Sequence, residues 1–361
     1  MTTSISGTGG VTFNDNSVQN TAASGFGFKN RIINGAFELW QRGNTSRTFA
    51  TAGAYSADRW TRMGYQNGAH ERVSVASPVA DMTSRYALRA TSATTGEAAS
   101  GSRMDTSQKI ESVNCFDLAG QNVTISFWAR FSSATISSST ATPFSDFTMN
   151  VFSNTSTTDS AASTDTGDAN LGTTIVTNGS LPTVWTKYTL TISCPSGLKN
   201  LAVRFQFAGL GNTASAGSAW YEIAEIQLEK GSTATSFDYR PYGTELSLCK
   251  RYLPAFVSSS TNSTLPFRGA GATTTAQTGV FTFDVQARVP PTGVTVSSAS
   301  HFTSSRPSTG NTVATAVAFA ASSTIACQIQ ISAASGLAAD APYSLYANSA
   351  SGVMLFTGCE L

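Results

Sequence analysis

From Arg31 to about Tyr242, hydrophobic and polar positions alternate in short stretches with a period of two. In Val123-Thr124-Ile125-Ser126-Phe127-Trp128-Ala129-Arg130, the residues Val, Ile, Phe and Ala fall on one side and Thr, Ser, Trp and Arg on the other. That spacing is the signature of a half-buried strand. Similar stretches occur at 185–192, 201–207 and 220–228, separated by Asn, Gly, Ser and Pro turn signals. Several strands with one buried face each, and no long helical period, predict a two-sheet sandwich. The Ser/Thr-rich tracts 132–142 and 153–174 are expected as surface loops or strand edges.

Only residues 243–253 carry a helical pattern, with Leu246, Leu248, Cys249 and Tyr252 spaced as one or two amphipathic turns, expected to act as a hinge. Beyond it, 280–285 and 293–297 read as strands flanking Pro290-Pro291, and 312–318, 324–332 and 353–356 continue the pattern. A second, smaller β-sandwich module is therefore expected over 254–361. Its few charges fit an oligomeric tip whose faces are buried between subunits. Residues 1–29 are small and polar, with Gly9-Gly10, a strand-like Val11-Thr12-Phe13 and a Gly25-Phe26-Gly27-Phe28 tract. Such a segment cannot form a core alone and is expected to be an attachment or trimer-connecting element. The organisation read from the pattern is thus 1–29, 30–242, 243–253 and 254–361.

Composition narrows the function classes. A chain of 361 residues exceeds what one core usually organises, so two modules are the default. Charged residues make up only 12%, and Ser with Thr supply roughly a quarter, which favours strands and turns over helices. The 21 Phe, 10 Tyr and 5 Trp are too many for a chain that cannot collapse. A net charge of +1 with no Lys/Arg run argues against a nucleic-acid partner. Cys115, Cys194, Cys249, Cys327 and Cys359 are widely spaced, without a CxxC pair, and read as small buried hydrophobes in a protein assembled in a reducing cytoplasm, with one or two disulfides left open. The start of the chain lacks a secretory pattern, and no segment approaches the roughly 20 apolar residues of a membrane span. No membrane insertion is expected, and release by lysis would carry such a protein outside the cell.

Five strings in the first module carry a resemblance when taken in order. They are Asn30-Arg31-Ile32-Ile33-Asn34-Gly35-Ala36-Phe37-Glu38-Leu39-Trp40-Gln41-Arg42-Gly43, Tyr55-Ser56-Ala57-Asp58-Arg59-Trp60, and Leu118-Ala119-Gly120 followed by Ser126-Phe127-Trp128-Ala129-Arg130. The last two are Ile223-Ala224-Glu225-Ile226-Gln227-Leu228-Glu229-Lys230-Gly231 and Tyr239-Arg240-Pro241-Tyr242-Gly243-Thr244-Glu245-Leu246 running on to Tyr252. Together they resemble a phage tail-fibre sandwich domain related to carbohydrate-binding modules. Thr12-Phe13-Asn14-Asp15-Asn16-Ser17-Val18-Gln19 is similar to the short connector that often precedes such modules. The resemblance implies an all-β chain, a jelly-roll β-sandwich followed by the smaller module, on a virion fibre that is usually a homotrimer. Residues 1–29 would then meet other tail or baseplate proteins, and the sandwich a host-surface polysaccharide.

Sugar binding uses aromatic faces against the apolar side of pyranose rings, so Trp40, Trp60, Trp128, Trp185 and Trp220 are the platforms to weigh. A strand Trp more often belongs to the core, and Trp40 and Trp60 are expected to be buried. Trp128, opposite Val123, Ile125 and Phe127 in register, is the first choice, and Tyr65 beside Gln66-Asn67 the second. The resemblance also implies a structural calcium at Glu38 and Glu225, where hard oxygen ligands would suit it. Ala224-Glu225 stands where a pair of Asp is common, and without calcium these carboxylates are expected to pair with Arg31 or Arg59. No catalytic residue stands out: Asp58, Glu71, Asp81, Glu97 and Asp105 suggest no pair, and Gly269-Ala270-Gly271 lacks the continuation of a phosphate loop. His70 and His301 read as exposed or hydrogen-bonded surface residues. The expectation is a non-enzymatic glycan-binding fibre subunit, with a structural virion decoration or collar spike as alternative and a depolymerising tailspike third.

Overall fold

The computed structural model describes residues 5–6, 10–12, 18–19, 28–43, 46–49, 54–62, 68–75, 79–92, 103–132, 146–154, 159, 169–177, 181–208, 220–306 and 310–361. Tyr65, Glu97, the connector residues 13–17, the 25–27 part of the Gly/Phe tract and the Ser/Thr tract 133–142 lie outside them. Near the start of the chain, Ile5–Ser6, Gly10–Thr12 and Val18–Gln19 pair as a three-stranded antiparallel sheet. The molecule is nearly all β, and among the described residues the one α-helix is Tyr242–Lys250.

Two six-stranded antiparallel sheets face each other in the first module. Edge to edge, one runs Thr186–Ser193, Asn122–Phe131, Trp220–Lys230, Tyr86–Ser92, Gly68–Ser74 and Ser46–Phe49. The other runs Ala169–Val176, Phe147–Asn154, Asn200–Ala208, Arg103–Ile110, Thr61–Arg62 and Ala54–Tyr55. Alternation along Asn122–Phe131 sends Val123, Ile125, Phe127, Ala129 and Phe131 into a shared core with Phe147, Val203, Phe205 and Tyr221. The Ser/Thr-rich tract at 153–174 contributes an edge strand, Ala169–Val176.

One strand breaks the period of two. Opposite Asn122–Phe131, Ser126 pairs with Gln227 but Trp128 pairs with Ala224, so the Trp220–Lys230 strand carries one extra residue there. Glu225 takes up the bulge with a φ of 49°, and Ile223 and Ile226 both reach the core despite their odd spacing. Asn30 staples the bulge: its Nδ2 donates to Ile226 O and its Oδ1 accepts from Leu228 N. Gly35 is required because a Cβ there would overlap the Ile226 carbonyl. Asn34 donates to Leu39 O and Asp58 O, and Arg240 donates to Ile32 O while pairing with Glu245 at 2.8 Å. The strings near both ends of the first module are thus one knot of buried polar contacts.

The second module packs a three-stranded sheet, Ala255–Val257, Val353–Thr357 and Gly293–Val296, against an eight-stranded one. Between them lie Phe267, Phe281, Ile329, Ile331, Leu345, Met354 and Phe356. The stretch expected as one strand at 312–318 is two, Gly310–Val313 and Ala316–Ser322, on opposite edges of the larger sheet. Two residues join those edges, so the sheet curls towards closure. Gly269 and Gly271 belong to the strand Phe267–Gly271, where Gly269 faces Gly279 beneath the Phe267 ring.

The segment expected as a hinge is packed on both sides. Cys249 and Tyr252 are buried with Ile33, Leu39 and Leu361. Arg251 and the Tyr252 hydroxyl both bond Glu111, and the Arg59 guanidinium lies 3.6 Å from the Tyr252 ring centroid. All five cysteines are buried and unpaired. Among the described residues no helix is long and apolar enough to cross a membrane.

Candidate functional site

Trp128 points away from the sandwich core, as its register predicts, yet it is only 8% exposed. Met82 of the segment 79–84 packs on it together with Ala87, Trp185 and Ala224. The reason is Glu225. Its Oε1 accepts from the N–H groups of Thr83 and Ser84 and from the Thr83 hydroxyl at 3.0 Å, tying the covering segment to the bulge. Trp128 is therefore a packed residue and not an open platform, which corrects the expectation. Trp60 is fully buried, as expected, and donates to Asn34 O.

The calcium expectation can be weighed against the donors actually present. Glu38 places both carboxylate oxygens on Arg85, at 3.3 and 2.9 Å. Glu225 takes two peptide N–H groups and a hydroxyl on one oxygen. These are surroundings for an anion already satisfied, and they do not fit a cation. Among the described residues no group of three or more His, Cys, Asp or Glu side chains is placed to hold a metal ion. The expected alternative partners also differ: Arg31 pairs with Asp117, and Arg59 donates to Lys109 O.

On the same outer face, Glu222 is fully buried between Arg89, at 2.6 and 2.8 Å, and Arg130 at 2.6 Å. Arg89 lies 4.7 Å from the Trp220 ring centroid and Arg130 4.9 Å from that of Trp185. Charges and rings here complete one another.

A different region is open. Between the two modules lies a cleft of about 970 Å³. Its floor is the outward face of the three-stranded sheet, with Val257, Thr295, Val353 and Leu355. Its walls come from the first module and the helix, with Trp40, Arg72, Tyr242 and Leu246. Trp40, expected in the core, is only partly buried, because its Nε1 is anchored to Phe37 O at 2.9 Å and its ring lines the cleft. Tyr242 is 57% exposed. Cavities of this size between modules, with aromatic walls and a few polar groups, are the usual setting for small-ligand sites.

Of the two histidines, His70 departs from the surface reading and His301 fits it. His70 is 1% exposed and links the sheets: its Nδ1 meets Ser56 Oγ at 2.8 Å and its Nε2 meets Thr106 Oγ1 at 3.0 Å. Burial, reinforced by the Arg62 charge, holds its pKa down at about 3. His301 is half-buried, bonded to Ser297, and lines the cleft. Of the carboxylates weighed for catalysis, Asp58 and Asp105 are buried, Glu71 and Asp81 lie elsewhere on the surface, and none lines the cleft.

No family model matches the chain, and no curated protein does. Among solved structures it is similar to a CBM4 module, at 13% identity and a TM-score of 0.29 over 55% of this chain and 98% of that one. It is similar also to a family 22 carbohydrate-binding module of Clostridium thermocellum Xyn10B, at 13% and 0.30 over 51% and 94%. A third is the enzymatically active domain of bacteriophage CBA120 tailspike protein 4, at 11% and 0.32 over 56% of this chain and 22% of that one.

Proposed function

We propose that the chain is a non-enzymatic subunit of a phage tail fibre that binds a host-surface glycan, with the inter-module cleft as its sugar site. The observation that carries this reading is the composition of the cleft. A pyranose offers an apolar C–H face and a girdle of hydroxyls. The cleft offers the rings of Trp40 and Tyr242, an aliphatic floor, and Ser258, Ser297 and Ser351 among its lining. Glu38, the carboxylate that lines it, is occupied at both oxygens by Arg85, which favours binding over hydrolysis. The fibre assignment is supported by the ordered strings of the first module. A homotrimer is supported by the second module, whose larger sheet exposes Ala318, Val280 and Gln330 on an almost uncharged face. Weak single sites would then gain strength from multivalency.

The test is a glycan array with the full chain, alongside its mass by light scattering. Binding is expected to one glycan class, falling about tenfold in Trp40→Ala and in Tyr242→Ala. Full affinity in both variants removes the cleft from the reading. Absence of binding to every glycan moves the chain to the structural-decoration class, and a monomeric mass ends the trimeric-fibre assignment.

A further inference from the structure

We infer that the cleft selects acidic oligosaccharides, with Arg72 receiving a sugar carboxylate. This rests on the glycan reading above and goes beyond it by naming the ligand charge and the residue that reads it.

The charges lining the cleft are Glu38, Arg42, Arg72 and Lys250. Three are committed elsewhere. Glu38 is neutralised by Arg85, which stands outside the lining, and Arg42 is tied to Asp58 and Glu360. Lys250 pairs with Asp284, a side chain that is 66% exposed and outside the lining. Arg72 differs from all of them: among the described residues no carboxylate pairs with it. Its guanidinium is nonetheless held in place. Nη1 donates to the Glu38 carbonyl at 3.0 Å, and the group lies 4.5 Å from the Tyr86 ring centroid.

That single backbone contact uses one N–H donor and leaves the rest of the fork unused. An arginine that is already oriented loses little freedom on binding, and its planar donors match a carboxylate two at a time. Trp40 lines the same cleft, so one uronate or sialate residue can lay its ring on an indole while its carboxylate meets Arg72. A neutral sugar would satisfy the ring and leave the fork without a counter-charge.

The experiment uses the intact chain and an array of polygalacturonate, alginate and polysialate beside dextran, mannan and carboxyl-reduced polygalacturonate. The wild-type chain is expected to bind an acidic polymer at least about tenfold more tightly than neutral ones, and Arg72→Gln to lose that margin, so that acidic and neutral polymers bind it with similar affinity. Carboxyl reduction of the polymer makes the same comparison without altering the protein. Preference for neutral glycans, or acidic binding unchanged in Arg72→Gln, overturns the inference and leaves the glycan reading standing. Binding to none of the polymers, acidic or neutral, overturns both.

Discussion

In the first sandwich, the residues that hold distant segments in register are polar and buried. Asn30, Glu225 and Arg240 each satisfy backbone groups brought from far along the chain, and Asn34 joins the carbonyls of Leu39 and Asp58. Beyond Pro254 the charged residues number only six, namely Arg268, Asp284, Arg288, Arg306, Asp340 and Glu360. There, fit does the corresponding task. Gly269 faces Gly279 under the Phe267 ring, and Phe281, Phe283 and Phe356 pack within 4.7 to 6.1 Å of one another. Two neighbouring β modules in one chain thus reach a unique register by different physics. Directional bonds tolerate a change of volume but not the loss of a partner, whereas close packing tolerates neither an added methyl nor a void.

That contrast can be broken first at Arg240. Arg240→Ala leaves Glu245 without its ion-pair partner and strands two backbone carbonyls, and the first module is expected to lose about 3–5 kcal/mol in urea unfolding. The second module should answer instead to bulk. A methyl at Gly279 would sit 2.5 Å from Phe267 Cζ, so Gly279→Ala is expected to cost about 1–3 kcal/mol, seen as a lower Tm of the second module alone. Glu225→Gln sharpens the role of the bulge. It weakens the bonds to Thr83 and Ser84 by about 1–2 kcal/mol and should open the cover over Trp128, read as stronger acrylamide quenching of indole fluorescence.

The smallest effect at neutral pH lies in two buried groups of the first module. His70 titrates at about 3 when folded and about 6.5 when unfolded, so the unfolded chain binds the extra proton between these values. Its contribution is full above about pH 6.5 and falls by about 1.4 kcal/mol per pH unit below. Burial pushes Asp58 up to about 6 from 3.8, with the opposite sign: stability from that group rises as pH falls through this range. Between about pH 4 and 6 the two slopes oppose each other. Asp58→Asn is expected to unmask the His70 loss, measured as a urea midpoint that drops from pH 6 to pH 4 more steeply than in the wild-type chain.

Much of the fold was legible because burial imposes a period of two. The strands at Asn122–Phe131, Asn200–Ala208, Ala326–Ser332 and Val353–Thr357 follow from side-chain alternation, and the helix Tyr242–Lys250 from the helical spacing of Leu246, Cys249 and their neighbours. Where a local irregularity intervened, the pattern misled. The bulge at Glu225 shifts the period between Ile223 and Ile226, and a two-residue turn splits the expected strand at 312–318. His70 was misread because a polar residue in a strand points to solvent by default, until Ser56 from a loop and Thr106 from another strand supply its bonds. Trp128 has the facing that alternation assigns, but alternation is silent about a loop laid over the sheet.

The sequence by itself determined the all-β class, the strand-rich modules and the scarcity of charge, since each depends on residue type and near-neighbour spacing. Only the tertiary structure decided which aromatic rings stay open. Trp40 and Tyr242 lie some two hundred positions apart, and the cleft they share exists because the helix and the three-stranded sheet of the second module dock against the 38–43 segment. Exposure is a property of what packs on top of a residue, and that is set by contacts between distant parts of the chain.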